Sequence, residues 1–190
     1  MLNPNNNFEH ADLAYLPPEL NLLLPFARKR LIPKGGYLIE EGIVSHYFFL
    51  VIEGIFRTFR TIDSEEYITG FTFPGDIDGS AYSFFNTAPA NETIQAITEA
   101  KILVFYKADF TDQKRKDVAL EDFILKLLSN YINILQNRLL EHQSITAEER
   151  YLLLLKQQPI ESARIPLTYI ASFLGITRER LSRIRKLVQV

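Results

Sequence analysis

The sequence predicts an α+β chain in three parts: a β-sandwich or barrel over residues 1–116, one long helix over 117–143, and a helix-turn-helix region over 144–190. Three observations carry this. Short aromatic and β-branched runs punctuated by glycine fill residues 33–110, the texture of a sandwich or barrel. An apolar repeat at threes and fours follows over 118–142, the period of a helix face. Residues 145–190 then carry eight Lys/Arg against four Asp/Glu, a net charge of +4, whereas residues 1–144 carry −6. An acidic body with a basic end points to two modules with different partners.

Composition narrows the class. At 190 residues and 47% hydrophobic, the chain has room for one good core and a second small one. No apolar run reaches the length of a membrane span. The start, MLNPNNNFEH, lacks a basic region followed by an apolar segment, so the cytoplasm is the expected location, with no membrane partner. The absence of cysteine excludes disulfides, thiolate zinc sites and cysteine-ligated iron–sulfur clusters. A metal enzyme on a small β-roll needs several His with a Glu on inward-facing strands. The β-region offers only His46, so neither a catalytic residue nor a metal ligand is expected.

The elements follow in order. Residues 13–32 (LAYLPPELNLLLPFARKRLI) read as short helices broken by Pro17, Pro18 and Pro25. YFFLVI (47–52), YITGFTF (67–73) and AKILVFY (100–106) read as strands, with glycines in turn signals such as PKGG, EEG and FPGD. Asp117 can cap a helix from Val118 to about His142, with Leu120, Ile124, Leu127, Leu128, Tyr131, Ile134, Leu135 and Leu139 on one face. That helix is about 37 Å long, more stripe than a small β-domain can cover. A homodimer is therefore expected, with Ile124, Leu128, Tyr131 and Leu135 at the seam. After a break at 143–145, Thr146 and Glu149 form a capping box that starts a helix stopped near Pro159.

The last stretch, LTYIASFLGITRERLSRIRK (167–186), has the helix-turn-helix pattern. Ala171 must be small where the second helix crosses, Gly175 supplies the turn, and Thr177 can cap the second helix. On a helical wheel Leu181, Ile184 and Val188 fall together, and the opposite face presents Glu179, Ser182, Arg183 and Lys186. Arg178 adds a cation at the exposed start, while Arg180 and Arg185 flank that face. This arrangement suits base reading at the centre and phosphate contacts at the sides, with Thr168 of the first helix a further DNA contact. Arg can fork to guanine and Glu179 can accept from cytosine N4. The alternative is a protein–protein module whose basic helix meets an acidic partner.

The order of parts resembles the catabolite activator / fumarate–nitrate regulator (Crp/Fnr) superfamily of bacterial transcription factors, most sharply at GDIDGSA (75–81) and ITRERLSRIRK (176–186). The resemblance implies a cyclic-nucleotide-binding-like β-roll (a jelly roll), a parallel dimer along the long helix, and recognition helices in successive major grooves of near-palindromic double-stranded DNA. RNA polymerase is a further partner it implies. The family's Arg-Glu-x-x-x-Arg falls on Arg178, Glu179 and Arg183. The family usually continues into a β-hairpin wing, and this chain, ending at Val190, shows none.

The resemblance also marks a departure. The family's cassette holds a cyclic nucleotide with a Gly-Glu-Leu and, about a dozen residues on, an Arg followed by Ser or Thr. Here those places read Gly79-Ser80-Ala81 and Asn91-Glu92-Thr93. Between Arg60 and Lys101 there is no Lys or Arg, so a buried cyclic phosphate would lack a local cation, with Lys126 and Arg138 the remaining candidates. Backbone amides at a helix start near Ser80–Ser83 offset part of this. Three scattered histidines (His10, His46, His142) do not suggest haem. The expectation is no cofactor, no cyclic AMP binding, and a pocket that is empty or takes a neutral, partly apolar effector against Phe71, Phe73 and Tyr82. A cyclic-nucleotide regulator with an unusual pocket is the alternative.

Overall fold

The run AKILVFY becomes an interior strand of a sheet, with neighbours on both edges. A computed structural model describes residues 23–109 and 118–188, less the side chains of 118–120 and 188. The chain divides into two compact units, residues 1–116 and 117–190. The long helix therefore groups with the basic end. The helices expected before residue 23, the Asp117 cap, and the side chains of Leu120 and Val188 lie outside the described residues.

In the first unit, eight strands form two antiparallel four-stranded sheets. They are β1 (Arg28–Ile32), β2 (Tyr37–Ile39), β3 (Tyr47–Glu53), β4 (Phe56–Ile62), β5 (Glu65–Thr72), β6 (Ile77–Asp78), β7 (Thr93–Ala96) and β8 (Ala100–Tyr106). The orders are β1-β8-β3-β6 and β2-β7-β4-β5. Phe49, Phe56, Ile94, Ile102 and Val104 are fully buried in one core cluster, each contributing about 1.5–3 kcal/mol. Phe49 and Phe56 meet at a ring distance of 5.3 Å. The turn from β3 to β4 requires Gly54: its φ is +99°, and a Cβ there would lie 2.5 Å from the Ala100 Cβ.

The sequence reading named the runs that became β3, β5 and β8 and missed the other five strands, of which β1 and β4 are the instructive ones. Residues 28–32, expected as helix, are β1, with Arg28–Ile32 paired to Val104–Ala100 of β8. Only a 3-10 turn at Leu24–Phe26 keeps the helical reading, with Pro25 in its first turn. The physical reason is tertiary: the open edge of β8 offers unpaired backbone groups that a strand satisfies. Its cationic RKR also suits an edge strand, where charge discourages further pairing. β4 (FRTFRTI) was hidden by its arginines, yet it holds the centre of the second sheet. A short helix, α1 (Ala81–Asn86), begins where a helix start was expected. Lys107 Nζ holds its far end, donating to the carbonyls of Phe84 and Phe85.

In the second unit, α2 (Val118–Ser144) runs 27 residues, about 40 Å. α3 (Ala147–Gln157), α4 (Leu167–Leu174) and α5 (Arg178–Val188) follow. The expected break falls between Ser144 and Ala147, and both halves of the capping box form. Thr146 Oγ1 accepts from the Glu149 amide at 3.2 Å, and the Glu149 carboxylate accepts from the Thr146 amide at 2.8 Å. The Thr146 amide, and the Thr146 hydroxyl that also donates to the carboxylate at 2.8 Å, hold the Glu149 carboxyl below its usual range.

Candidate nucleic-acid interface and effector site

The helix-turn-helix assembles as its spacing requires. Ile170, Ala171 and Leu174 of α4 and Leu181 and Ile184 of α5 are all buried. Gly175 takes a left-handed φ of +67°. Its amide donates to Ser172 and that of Ile176 to Ala171, which satisfies the last carbonyls of α4. The Thr177 hydroxyl accepts from the Arg180 amide at 3.2 Å, the predicted N-cap.

Burial of Leu181 and Ile184 decides which way α5 faces. Arg178, Glu179, Arg180, Arg183, Arg185 and Lys186 are all exposed, Thr168 of α4 is exposed, and Ser182 is half-buried. Two positions carry added detail. The Glu179 carboxyl is held below its usual range by its own backbone amide and the Thr177 hydroxyl, with Arg178 and Arg183 adding attraction. In this structure Glu179 therefore turns back on the start of its helix, and reaching a base would require it to leave that cap. Arg185 borders a cleft of about 160 Å³ beside Tyr151, Leu155, Ile165 and Ile170, which sets it apart from Arg183.

Sequence reasoning missed Arg150. From α3 its Nη2 donates to the Leu174 carbonyl at 2.8 Å, while Nη1 reaches the carbonyls of His142 and Ile145 at 3.4 Å each. One guanidinium thus ties the end of α2 to the end of α4. Burial, and then the charge of Arg150, pull the His142 pKa down. Position alone gave no signal for this, because the partners are backbone carbonyls distant in sequence.

Along α2, Ile124 and Leu128 are half-buried, whereas Tyr131 and Leu135 are exposed. Ile132, Ile134, Leu139 and Leu140 are exposed with them. Lys126 is paired with Asp122 at 2.8 Å within the helix.

The expected effector residues cluster in part. Ser80 and Phe71 are buried, Thr93 is buried with its hydroxyl accepting from the Glu41 amide, and Glu92, Gly79 and Ala81 are half-buried. Asn91 is exposed, and Tyr82 is 54% exposed. Phe71 and Phe73 are core residues whose rings pair at 6.4 Å, so these two rings and Tyr82 do not form one apolar wall. A Cβ at Gly79 would sit tightly against Phe48, at 3.1 Å.

The charge arrangement corrects the reading made along the chain. Two cations precede the acid-only stretch, and folding returns both to it. Arg60 acts on Glu92, so the region does have a nearby cation. Arg57, 4% exposed, donates to Gln95 at 2.9 Å and pairs with Glu66. Its charge is already engaged. Burial raises the Glu92 carboxyl, partly countered by the Ser80 hydroxyl and Arg60. Burial pushes Asp78 up to about 6, although Thr72 and the Gly79 amide donate to it, and both charged neighbours, Glu92 and Asp76, push it further.

Residues 29–117 match the cyclic nucleotide-binding domain family. The cyclic AMP receptor protein of Thermus thermophilus is 24% identical over 173 residues, covering 88% of this chain and 80% of that protein. Among solved structures, FixK2 of Bradyrhizobium japonicum matches with a TM-score of 0.72 at 18% identity, covering 85% of this chain and 84% of its own. The c-di-GMP-responsive global regulator CLP of Xanthomonas campestris matches at 0.68 and 16%, covering 90% of each. At these identities the structural likeness establishes a shared fold.

Proposed function

We propose that the chain is a Crp/Fnr-like regulator, a homodimeric DNA-binding transcription regulator that answers to an effector other than cyclic AMP, or to none; the match of residues 29–117 to the cyclic nucleotide-binding domain and the 24% identity to a cyclic AMP receptor protein support this. The proteins it resembles include a cyclic AMP receptor protein and a global regulator of gene expression, which supports a regulator and not an enzyme. The observation that carries the reading is the two-sided α5: Leu181 and Ile184 buried, Arg178, Arg183 and Lys186 exposed on the other side. A buried anchor and a free basic face are what a recognition helix needs in the major groove. RNA polymerase is the partner through which such a regulator acts.

Dimerisation is supported by the exposed apolar residues of α2, a stripe that pairing with a second copy would cover. The effector reading is supported by the β-roll's charges, since the buried guanidinium of Arg57 is engaged by Glu66 and carboxylates stand at 78 and 92. A cyclic phosphate there would meet like charge.

The test is selection from random duplex DNA at fixed salt, followed by isotherms on the selected and on random sequence. An inverted repeat with half-sites about 34 Å apart is expected. Equal affinity for both sequences would overturn the DNA reading. Calorimetry with cyclic AMP at near-physiological salt should show no heat, and micromolar binding would overturn the effector reading.

A further inference from the structure

We propose that a cleft in the second unit takes a small apolar carboxylic acid, whose carboxylate competes with DNA phosphate for Arg185. The inference rests on the reading of α5 as the DNA-contacting helix, and gives that helix a ligand that opposes it.

The cleft is the first observation. It measures about 160 Å³ and is lined from α3, α4 and α5 and from the link between α3 and α4. Tyr151, Leu155, Ile165 and Ile170 give it apolar walls. Tyr151, Ile165 and Ile170 are themselves buried, so the core of this unit fixes those walls. An apolar cavity of about 150 Å³ holds a benzene ring. That bounds the ligand to one ring or a short branched chain.

The second observation is the polar groups beside those walls. Arg185 is the one charged residue lining the cleft, and it is exposed. Glu179, the one acid of α5, is drawn to the start of its own helix. Among the described residues Arg185 makes no ion pair. Ser162, 3% exposed, also lines the cleft. Its hydroxyl reaches the Pro159 carbonyl only at 3.5 Å, too long for a strong bond, so it can turn to a better acceptor. Leu167, the first residue of α4, is a further lining residue. Its N-cap is Pro166, and no side chain caps the helix. A helix start leaves amides without intrahelical partners, and its dipole favours an anion there.

The ligand class follows from the pairing of these groups. A guanidinium takes a carboxylate through two parallel hydrogen bonds. A neutral hydrocarbon would leave Arg185 unpaired, and a bare anion would leave the apolar walls in water. A guanidinium held by a carboxylate cannot also hold a phosphate. Ligand and DNA therefore weaken each other by the same factor.

The experiment is titration calorimetry of the full chain with benzoate, benzyl alcohol and acetate at pH 7.5, alongside DNA isotherms with and without benzoate. Benzoate should bind saturably, about tenfold tighter than benzyl alcohol or acetate. Saturating benzoate should weaken selected and random duplexes alike, by about threefold or more, because Arg185 acts on the backbone. Arg185→Gln should bind benzoate about tenfold more weakly, and its DNA binding should no longer respond to benzoate. Ala163 lines the cleft and is exposed, so Ala163→Leu fills the space without disturbing the core. That variant should lose benzoate yet keep wild-type DNA binding, a pairing that misfolding does not produce. No heat with benzoate while sequence-specific DNA binding persists overturns this inference and leaves the regulator reading standing. Benzyl alcohol binding as tightly as benzoate, or benzoate binding with DNA affinity unchanged, also overturns it. Benzoate competing equally with all duplexes in a protein that prefers no sequence keeps the cleft and overturns the regulator reading.

Discussion

Arg150 donates from Nη2 to the carbonyl of Leu174 at 2.8 Å, across 24 residues of sequence. That carbonyl ends α4, one residue before Gly175, where a helix has no partner of its own. The same side chain meets the carbonyls of His142, in the last turn of α2, and of Ile145 just beyond it, so it fixes the helix-turn-helix to the end of the long helix. Arg150→Ala should cost the second unit about 1.5–3 kcal/mol, the range for a charged hydrogen bond. Arg150→Lys should recover part of it. Hydrogen exchange at amides 167–186 of the full chain checks this, and unchanged protection in Arg150→Ala would refute the tie.

The apolar residues of α2 make assembly testable. Leu128→Ala or Leu135→Ala should weaken the dimer by about 2–5 kcal/mol. Leu135→Glu should give monomers that no longer retain operator DNA. Light scattering at micromolar concentration reads both, and a monomeric wild type would refute pairing whatever the variants do.

Arg183 and Arg185 are two residues apart on α5, but their surroundings differ. Arg183→Ala should cost about 1–3 kcal/mol on the preferred sequence and relax sequence choice. Arg185, beside its cleft, should act on the phosphate backbone, so Arg185→Ala weakens all sequences alike and lowers the salt slope by about 1. Isotherms on operator and random DNA at several salt concentrations separate the two. Equal losses on both DNAs for Arg183→Ala would remove its base-reading role.

Asp78 makes stability depend on pH with an unusual sign. Its carboxyl titrates near 6 in the fold against an ordinary 3.8, so between those values the folded state holds more protons than the unfolded one. Stability therefore falls as pH rises from about 4 to 6, by about 3 kcal/mol from this residue alone. Asp78→Asn should flatten that slope and stabilise the protein at pH 7. Urea unfolding of both proteins across pH 4–8 gives the difference curve, and parallel curves would show that Asp78 titrates normally.

Local chemistry was enough for much of the architecture. AKILVFY and YFFLVI are strands because such runs satisfy only a buried sheet, and Thr146 with Glu149 started its helix because both halves of the box are local. Gly175, Leu181 and Ile184 determined the orientation of α5, since burial of an amphipathic face leaves one choice for the opposite side.

Wherever partners come from distant sequence, only the tertiary structure decided. Residues 28–32 became a strand because β8 had an edge to pair, and local propensity yields to that. Arg57 and Arg60 lie outside the acidic stretch in sequence, yet the pairing of β4 with β5 and β7 returns them to it. Ser80, Asp78 and Glu92 acquire their character from burial, which no sequence spacing encodes. Desolvation depends on what surrounds a charge, and the surroundings exist only once the chain is folded.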